Sequence, residues 1–279
     1  MSVTPLSTPS PTARPSRRAA RRPGELVGAV LFVLVPVAAV VAWFVLSAGS
    51  TNFFLPPLSD ILSAFRRLWL FDRVGSDVVP SLVRLAIGYG LSVLLGVGLG
   101  LAMGLRPRLH DALNPFVQFL RSLPGPAIIP LAIVVLGLGS TMKVLVIVLT
   151  VTWPILLSTV DGVRSQEPAQ LEAARAYGIG GRERLRRIVL PAASPRILAG
   201  MRTSLAIAIM LMVISEMVAA TNGIGYFVLQ SQRTFAVNDM WAGILLLGLL
   251  GIVLNGLFTL SERRALRWHR ERAAAARTS

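Results

Sequence analysis

Six apolar runs separated by polar breaks set the frame of this chain: residues 26–46, 82–105, 115–138, 143–160, 197–220 and 240–260. At ~1.5 Å per residue, a helical run of about 20 residues covers about 30 Å, the thickness of a bilayer core. The pattern predicts an all-α membrane protein with six transmembrane helices. A secretory signal competes for the first run. That run is longer than the apolar core of such a signal, and no clean small-residue cleavage site follows it. Pro36 is a kink point within it.

Irregularities inside the runs carry further information. Gly96, Gly100 and Gly104 recur every fourth residue in the second run, the small-xxx-small spacing that lets two helices approach closely. The third run is broken by Pro124, Pro126 and Pro130, with Gly125 among them, so it must bend or partly unwind. Within a membrane, freed carbonyls are tolerated where they are buried in protein or face a wet cavity. Arg121, Ser122, Pro124, Pro126 and Pro130 are therefore candidates for the wall of a translocation path, with a plain packing kink as the alternative. The fifth run holds Glu216, read as the one carboxylate at membrane depth. An acid there costs a few kcal/mol unless it is paired or wet. It is either a contact in the path or an anchor near the interface.

Two stretches between runs are patterned rather than merely polar. A helix capped by Ser59 or Asp60 and running to about Phe71 carries Ile61, Leu62, Phe65, Leu68 and Trp69 on one face, to lie on the outer membrane surface or against the bundle. Residues 163–200 form the longest charged interruption. Pro168 suits a first helical turn, and Glu167 and Glu172 suit the positive end of a helix dipole. Leu171, Ala174 and Tyr177 are expected on one face, and Gly178 stands where a left-handed C-terminal residue is needed. A second, basic helix is expected over 182–190, ending at Pro191. The helix–Gly–helix pattern suits docking into a partner; a surface helix lying on lipid is the competing reading.

Charge fixes an orientation. The formal net charge is +15, and the basic residues crowd one side of the predicted topology. Arg14, Arg17, Arg18, Arg21 and Arg22 precede the first run; Arg106 and Arg108 follow the second; seven arginines fall within 164–196; six follow residue 262. By the positive-inside rule both termini are expected in the cytoplasm. The excess is then a topology signal and an attraction for anionic lipid, and it calls for no nucleic acid. There is no cysteine, and the two histidines stand in polar basic stretches, so no metal site is expected. No G-x-x-x-x-G-K-[ST] sequence occurs, and GVGLG lies in an apolar helix with no strand before it, so the chain should not hold ATP through a phosphate loop of its own.

The polar stretch also carries a resemblance. Glu172-Ala173-Ala174, three residues, Gly178, nine residues, Ile188, one residue and Leu190-Pro191 reproduce the EAA loop of ABC importer permeases at every position. The segment from Leu55 to Pro57, the stretch RSLPGPAIIPL, Gly137-Leu138-Gly139 and Ser215-Glu216-Met217 with Gly223-Ile224-Gly225 also resemble the nitrate, sulfonate and taurine branch of that family. Where that branch often has an acidic residue after the Gly-Leu-Gly, this chain has Ser140. The resemblance covers residues 55–264 and implies a type I permease fold. It divides the chain into a disordered basic cytoplasmic tail (1–25), a first helix with an external amphipathic segment (26–75), a permease core (76–264, coupling loop 163–196) and a second basic tail (265–279).

It further implies a transport subunit in the cell membrane, not an enzyme. The chain would bind no cofactor itself; ATP and magnesium would sit on a separate cytoplasmic ATPase, coupled through Glu172, Ala173, Ala174, Tyr177, Gly178, Ile188, Leu190 and Pro191. An external solute-binding protein and a second permease copy are the other implied partners. The implied solute is a small organic anion such as a sulfonate or taurine, or nitrate. A secondary transporter or channel working without an ATPase is the alternative. It would call for paired inverted repeats and several midplane charges.

Overall fold

The computed structural model describes residues 23–166 and 168–266. Glu167, residues 1–22 of the tail expected to be disordered and residues 267–279 of the basic C-terminal tail lie outside the described residues, whereas Pro23, Gly24 and Glu25, expected in the disordered tail, begin α1. The elements in order are α1 (Pro23–Ser47), α2 (Leu58–Arg67), α3 (Val79–Leu105), α4 (Pro107–Ser122), α5 (Gly125–Leu136), α6 (Ser140–Arg164), α7 (Pro168–Ala176), α8 (Gly181–Arg184), α9 (Leu190–Ala219), α10 (Ile224–Arg233) and α11 (Val237–Ala265). Wider π turns at Leu68–Asp72 and Val74–Val78 join α2 to α3, and another at Leu185–Val189 joins α8 to α9. The described residues contain no strand.

Among the described residues, four helical stretches are long and apolar enough to cross a membrane: Val74–Leu105, Ser140–Arg164, Gly181–Ala219 and Val237–Ala265. The pair α4 and α5, bent by 92° at Leu123-Pro124, makes a fifth if taken as one crossing. A count of six also needs α1, whose apolar part Leu34–Ser47 is by itself shorter than a crossing.

The centre of the bundle is α6, packed between α3 and α9. The glycine spacing explains how α3 comes so close. A Cβ built on Gly88, Gly96, Gly100 or Gly104 would fall within 3 Å of Ile147, Ile155, Thr159 or Val163 respectively. The offset between partners is constant, so α3 and α6 run parallel and in register. The resulting core buries Met142, Val146, Val151, Ile155, Leu211 and Met212 completely. Tyr89 adds a hydrogen bond from its hydroxyl to the Met201 carbonyl at 2.9 Å, tying α3 to α9.

The amphipathic segment packs on the bundle. Ile61, Ala64, Leu68 and Trp69 are buried, and Trp69 donates through Nε1 to the Ala242 carbonyl of α11 at 3.2 Å. Leu62 is exposed and does not belong to the buried face. Neither Ser59 nor Asp60 caps α2. The helix begins one residue earlier, at Leu58, and the Leu58 N–H is taken by Ser47 Oγ at 3.2 Å.

Three other expectations are corrected. The third run is two helices meeting almost at a right angle, and α4 begins at Pro107, well before residue 115. Pro191 does not stop the basic helix. It lies in the first turn of α9, where its missing N–H costs nothing, so the fifth long helix begins well before residue 197. The polar stretch before the last helix contains α10, which buries Ile224, Phe227 and Val228.

Candidate functional site: a turn, a cleft and an ion pair

The sequence-predicted residues fall into three places along the bundle. The turn between α6 and α9 holds the first group, at what may be called the basic end. α7 ends at Ala176, and Gly178 takes φ +70°, a backbone state that a Cβ disfavours. The Ile179 N–H then reaches back to the Ala174 carbonyl at 3.0 Å, and the Tyr177 N–H bonds Ala173. This is the six-to-one closure that a glycine at the C′ position permits. Ala174 is buried, whereas Tyr177, beyond the helix end, is 85% exposed. The two therefore do not share a buried face: Tyr177 keeps the helical N–H bond to Ala173, but at the helix end its side chain stands clear of the bundle that covers Ala174. Glu172, Ala173 and Gly178 are also exposed.

The second half of the motif roots this turn. Ile188 and Pro191 are half-buried and Leu190 is exposed. Between them Val189 is buried with Val163, Ala193 and Ile197, against Val97 and Leu101 of α3. Gln166 Nε2 donates to the Val189 carbonyl at 3.0 Å, linking the end of α6 to the start of α9. The turn is thus an exposed helix carried on a rigid, buried base. Val189 and Gln166 were missed from the sequence because the motif marks its flanking residues.

A cleft of about 440 Å³ opens beside the α4–α5 bend. Arg121 and Leu123 from the bend, Thr150, Trp153 and Asp161 from α6, and Thr203 from α9 line it. Arg121 Nε donates to Gln118 Oε1 at 2.6 Å. Ser122, Pro124, Pro126 and Pro130 are exposed around the bend, but they do not line this cleft. Gly125, just past the bend, packs on Thr150, ten residues into the 25-residue α6, so the bend lies beside the middle of that apolar helix.

Glu216 lies elsewhere, near the opposite end, some 16 residues along α9 from Gly200 of the cleft, or ~24 Å. It is fully buried and accepts hydrogen bonds from Ser81 Oγ and Arg84 Nη1, each at 2.8 Å, and from the Gly225 N–H at 3.1 Å. Arg84 also donates to Ser140 Oγ at 3.1 Å and to the Asn222 side-chain and backbone oxygens. The first N–H groups of α10 are satisfied in the same place. Gly223 N–H donates to Asp77 Oδ1 at 2.9 Å and Ile224 N–H to Ser81 Oγ at 3.0 Å. Gly223, at φ +118°, has no room for a Cβ beside the Glu216 carboxylate. The cluster ties α3, α6, α9 and α10 together at one end, so Arg121 and Glu216 are not brought together. The sequence reading overlooked Arg84, although an arginine inside an apolar run signals a buried acidic partner.

Comparison with known proteins adds to this geometry. Residues 92–267 match the family model described as binding-protein-dependent transport system inner membrane component. The chain is 30% identical to the putative aliphatic sulfonates transport permease protein SsuC of Bacillus subtilis (strain 168), over 84% of this chain and 86% of that protein. It is 30% identical to the taurine transport system permease protein TauC of Escherichia coli (strain K12), over 78% and 81% respectively. It is also 30% identical to the bicarbonate transport system permease protein CmpB of Synechococcus elongatus (strain ATCC 33912 / PCC 7942 / FACHB-805), over 84% and 90%. Among solved structures, a chain of the MetNI methionine ABC transporter in an inward-facing conformation superposes with a TM-score of 0.58 at 19% identity. The superposition covers 68% of this chain and 93% of that one, and at this identity it speaks to fold alone.

Proposed function

Since this chain belongs to the family of binding-protein-dependent transport system inner membrane components, we propose that it carries a small oxyanion across the cell membrane, with the α6–α9 turn as the seat of a cytoplasmic ATPase. The chain is the permease subunit of an ATP-driven ABC importer, not an enzyme, and ATP hydrolysis is the work of a separate ATPase subunit. An organic sulfonate such as taurine is the leading solute, with nitrate and bicarbonate of the same chemical class. The named relatives that transport sulfonates, taurine and bicarbonate support this class.

The observation that carries the coupling proposal is the Gly178 turn. An exposed α7, presenting Glu172 and Ala173, is held on a base buried between α3, α6 and α9. A push on α7 would therefore reach the central helices rather than dissipate in a loose loop. Closure of an ATPase pair beneath two permease copies would turn the path outward, and hydrolysis would reset it. In this scheme Glu172 positions the turn and does no chemistry. Both termini lie in the cytoplasm, in keeping with the arginines clustered there, and an external binding protein delivers the solute.

The test is uptake by proteoliposomes containing the permease, its ATPase and its binding protein. Accumulation of radiolabelled taurine or bicarbonate that requires both internal ATP and the binding protein supports the proposal. Uptake driven by an ion gradient without ATP overturns it.

A further inference from the structure

Arg121 is the one cation lining the cleft among the described residues, and the fold gives its terminal nitrogens no other use. It stands at the α4–α5 bend, beside the middle of α6, and is exposed. Its Nε is engaged by Gln118, and among the described residues no carboxylate lies within ion-pair distance of it. This differs from Arg84, whose charge is matched by Glu216 and enclosed. A cation at membrane depth is costly, and it persists where a wet cavity or a ligand meets it. Here the cavity is present, and both terminal nitrogens of the guanidinium are left free of protein acceptors among the described residues.

The rest of the cleft suits a small solute. Its volume of about 440 Å³ falls in the range of small-molecule sites. Thr150, Ser158 and Thr203 bring hydroxyls to it, and Trp153 and Leu157 supply an apolar wall. The carboxylate of Asp161 lines it too, but 11 residues beyond Thr150 along α6, or ~16 Å toward the basic end. The positive potential is thus concentrated at the bend. A guanidinium with two parallel free N–H groups matches two oxygens of a sulfonate, carboxylate or bicarbonate group.

We infer that Arg121 is a specificity-determining residue of the translocation path, forming with the neighbouring hydroxyls a subsite beside the middle of α6 for the oxyanion head of the solute. The inference rests on the importer reading, and it assigns discrimination between anionic and neutral solutes to the permease as well as to any external binding protein. The subsite is a weak one. It is solvated and has a single cation, so it favours passage of an anion without trapping it.

Trp153 provides a reporter inside the same cleft. The permease is purified with its ATPase in nanodiscs of neutral lipid, and the Trp153 fluorescence is isolated by subtracting a Trp153→Phe variant. Quenching is measured with iodide, acrylamide and caesium. The expected result is that Arg121→Gln lowers the iodide quenching constant about threefold, as removal of one nearby charge should. Acrylamide quenching stays unchanged, and Arg121→Lys restores most of the iodide effect. Ethanesulfonate should compete with iodide in the wild type, and ethyl methyl sulfone, which is neutral, should not. Equal iodide quenching with and without the Arg121 charge overturns the inference, as does failure of ethanesulfonate to compete. Neither result touches the importer reading, which fails separately if no ATPase accompanies the permease.

Discussion

Arg84 Nη1 lies 2.8 Å from Glu216 Oε1 in a setting where neither side chain is more than 8% exposed. The two residues are 132 apart in sequence and belong to α3 and α9. Their pairing makes both charges tolerable at one end of the bundle. It also organises α10, since the same carboxylate accepts the Gly225 N–H and the same arginine holds Asn222. A buried pair of this kind is weak evidence for net stability against an apolar replacement, but breaking it one-sidedly is expensive.

Removing one partner should therefore be worse than removing both. Arg84→Met or Glu216→Leu alone is expected to cost about 3–5 kcal/mol, because each leaves a buried charge unmatched. The double variant should recover a substantial part. Thermal unfolding of the four proteins in one detergent gives the cycle, and additive losses would show that the pair does not act as a unit.

Ser140 offers the opposite experiment. Its hydroxyl accepts from Arg84 Nε, and among the described residues the nearby Lys143 ammonium meets the Leu138 and Gly139 carbonyls alone, at 3.2 and 3.3 Å. Ser140 is exposed and is the first residue of α6, a favourable place for a negative charge. Ser140→Asp should stabilise the protein by about 0.5–1 kcal/mol. An unfolding midpoint that rises at low salt, and rises less at high salt, is the expected signature.

Close packing of α3 on α6 leads to a third expectation. A Cβ on Gly100 would stand 2.6 Å from Thr159 Cβ and 2.9 Å from the Leu156 carbonyl, which is backbone and cannot rotate away. Gly100→Val should destabilise by about 1–3 kcal/mol or more, as overpacked cores do. Gly98, in the same helix, has open space around it, and Gly98→Ala should be neutral or slightly stabilising. Parallel melting curves test both, and similar losses for the two would contradict the packing.

What could be read from the sequence followed from local rules. The glycine spacing in α3 identified the contact face because small residues are needed at one helical period, and the positive φ of Gly178 followed from its place after a helix. The family pattern marked the turn for the same reason. What could not be read depended on distant partners. Nothing near Arg84 discloses that Asn222 and Glu216 will meet it. Proline positions show that residues 115–138 must bend, but not by the 92° observed, nor that Val117 of α4 packs with Met103, Leu156 and Val160. Pro191 read as a stop because proline ends helices, yet the π turn before it lets one helix run on. The short α10 was hidden because its apolar residues sit among glycines and glutamines, and its first N–H groups are capped by side chains from α3, α9 and the turn before α3.

The coupling turn is the centre of the account, and affinity capture of the tagged permease in mild detergent tests it most directly. The wild type should bring down a soluble ATPase. Gly178→Val, which forces a branched side chain into φ +70°, should insert in the membrane at normal levels but lose that ATPase, and Glu172→Ala should weaken its retention. Undiminished recovery of the ATPase with Gly178→Val, together with normal transport, would contradict the claim that this turn seats the motor.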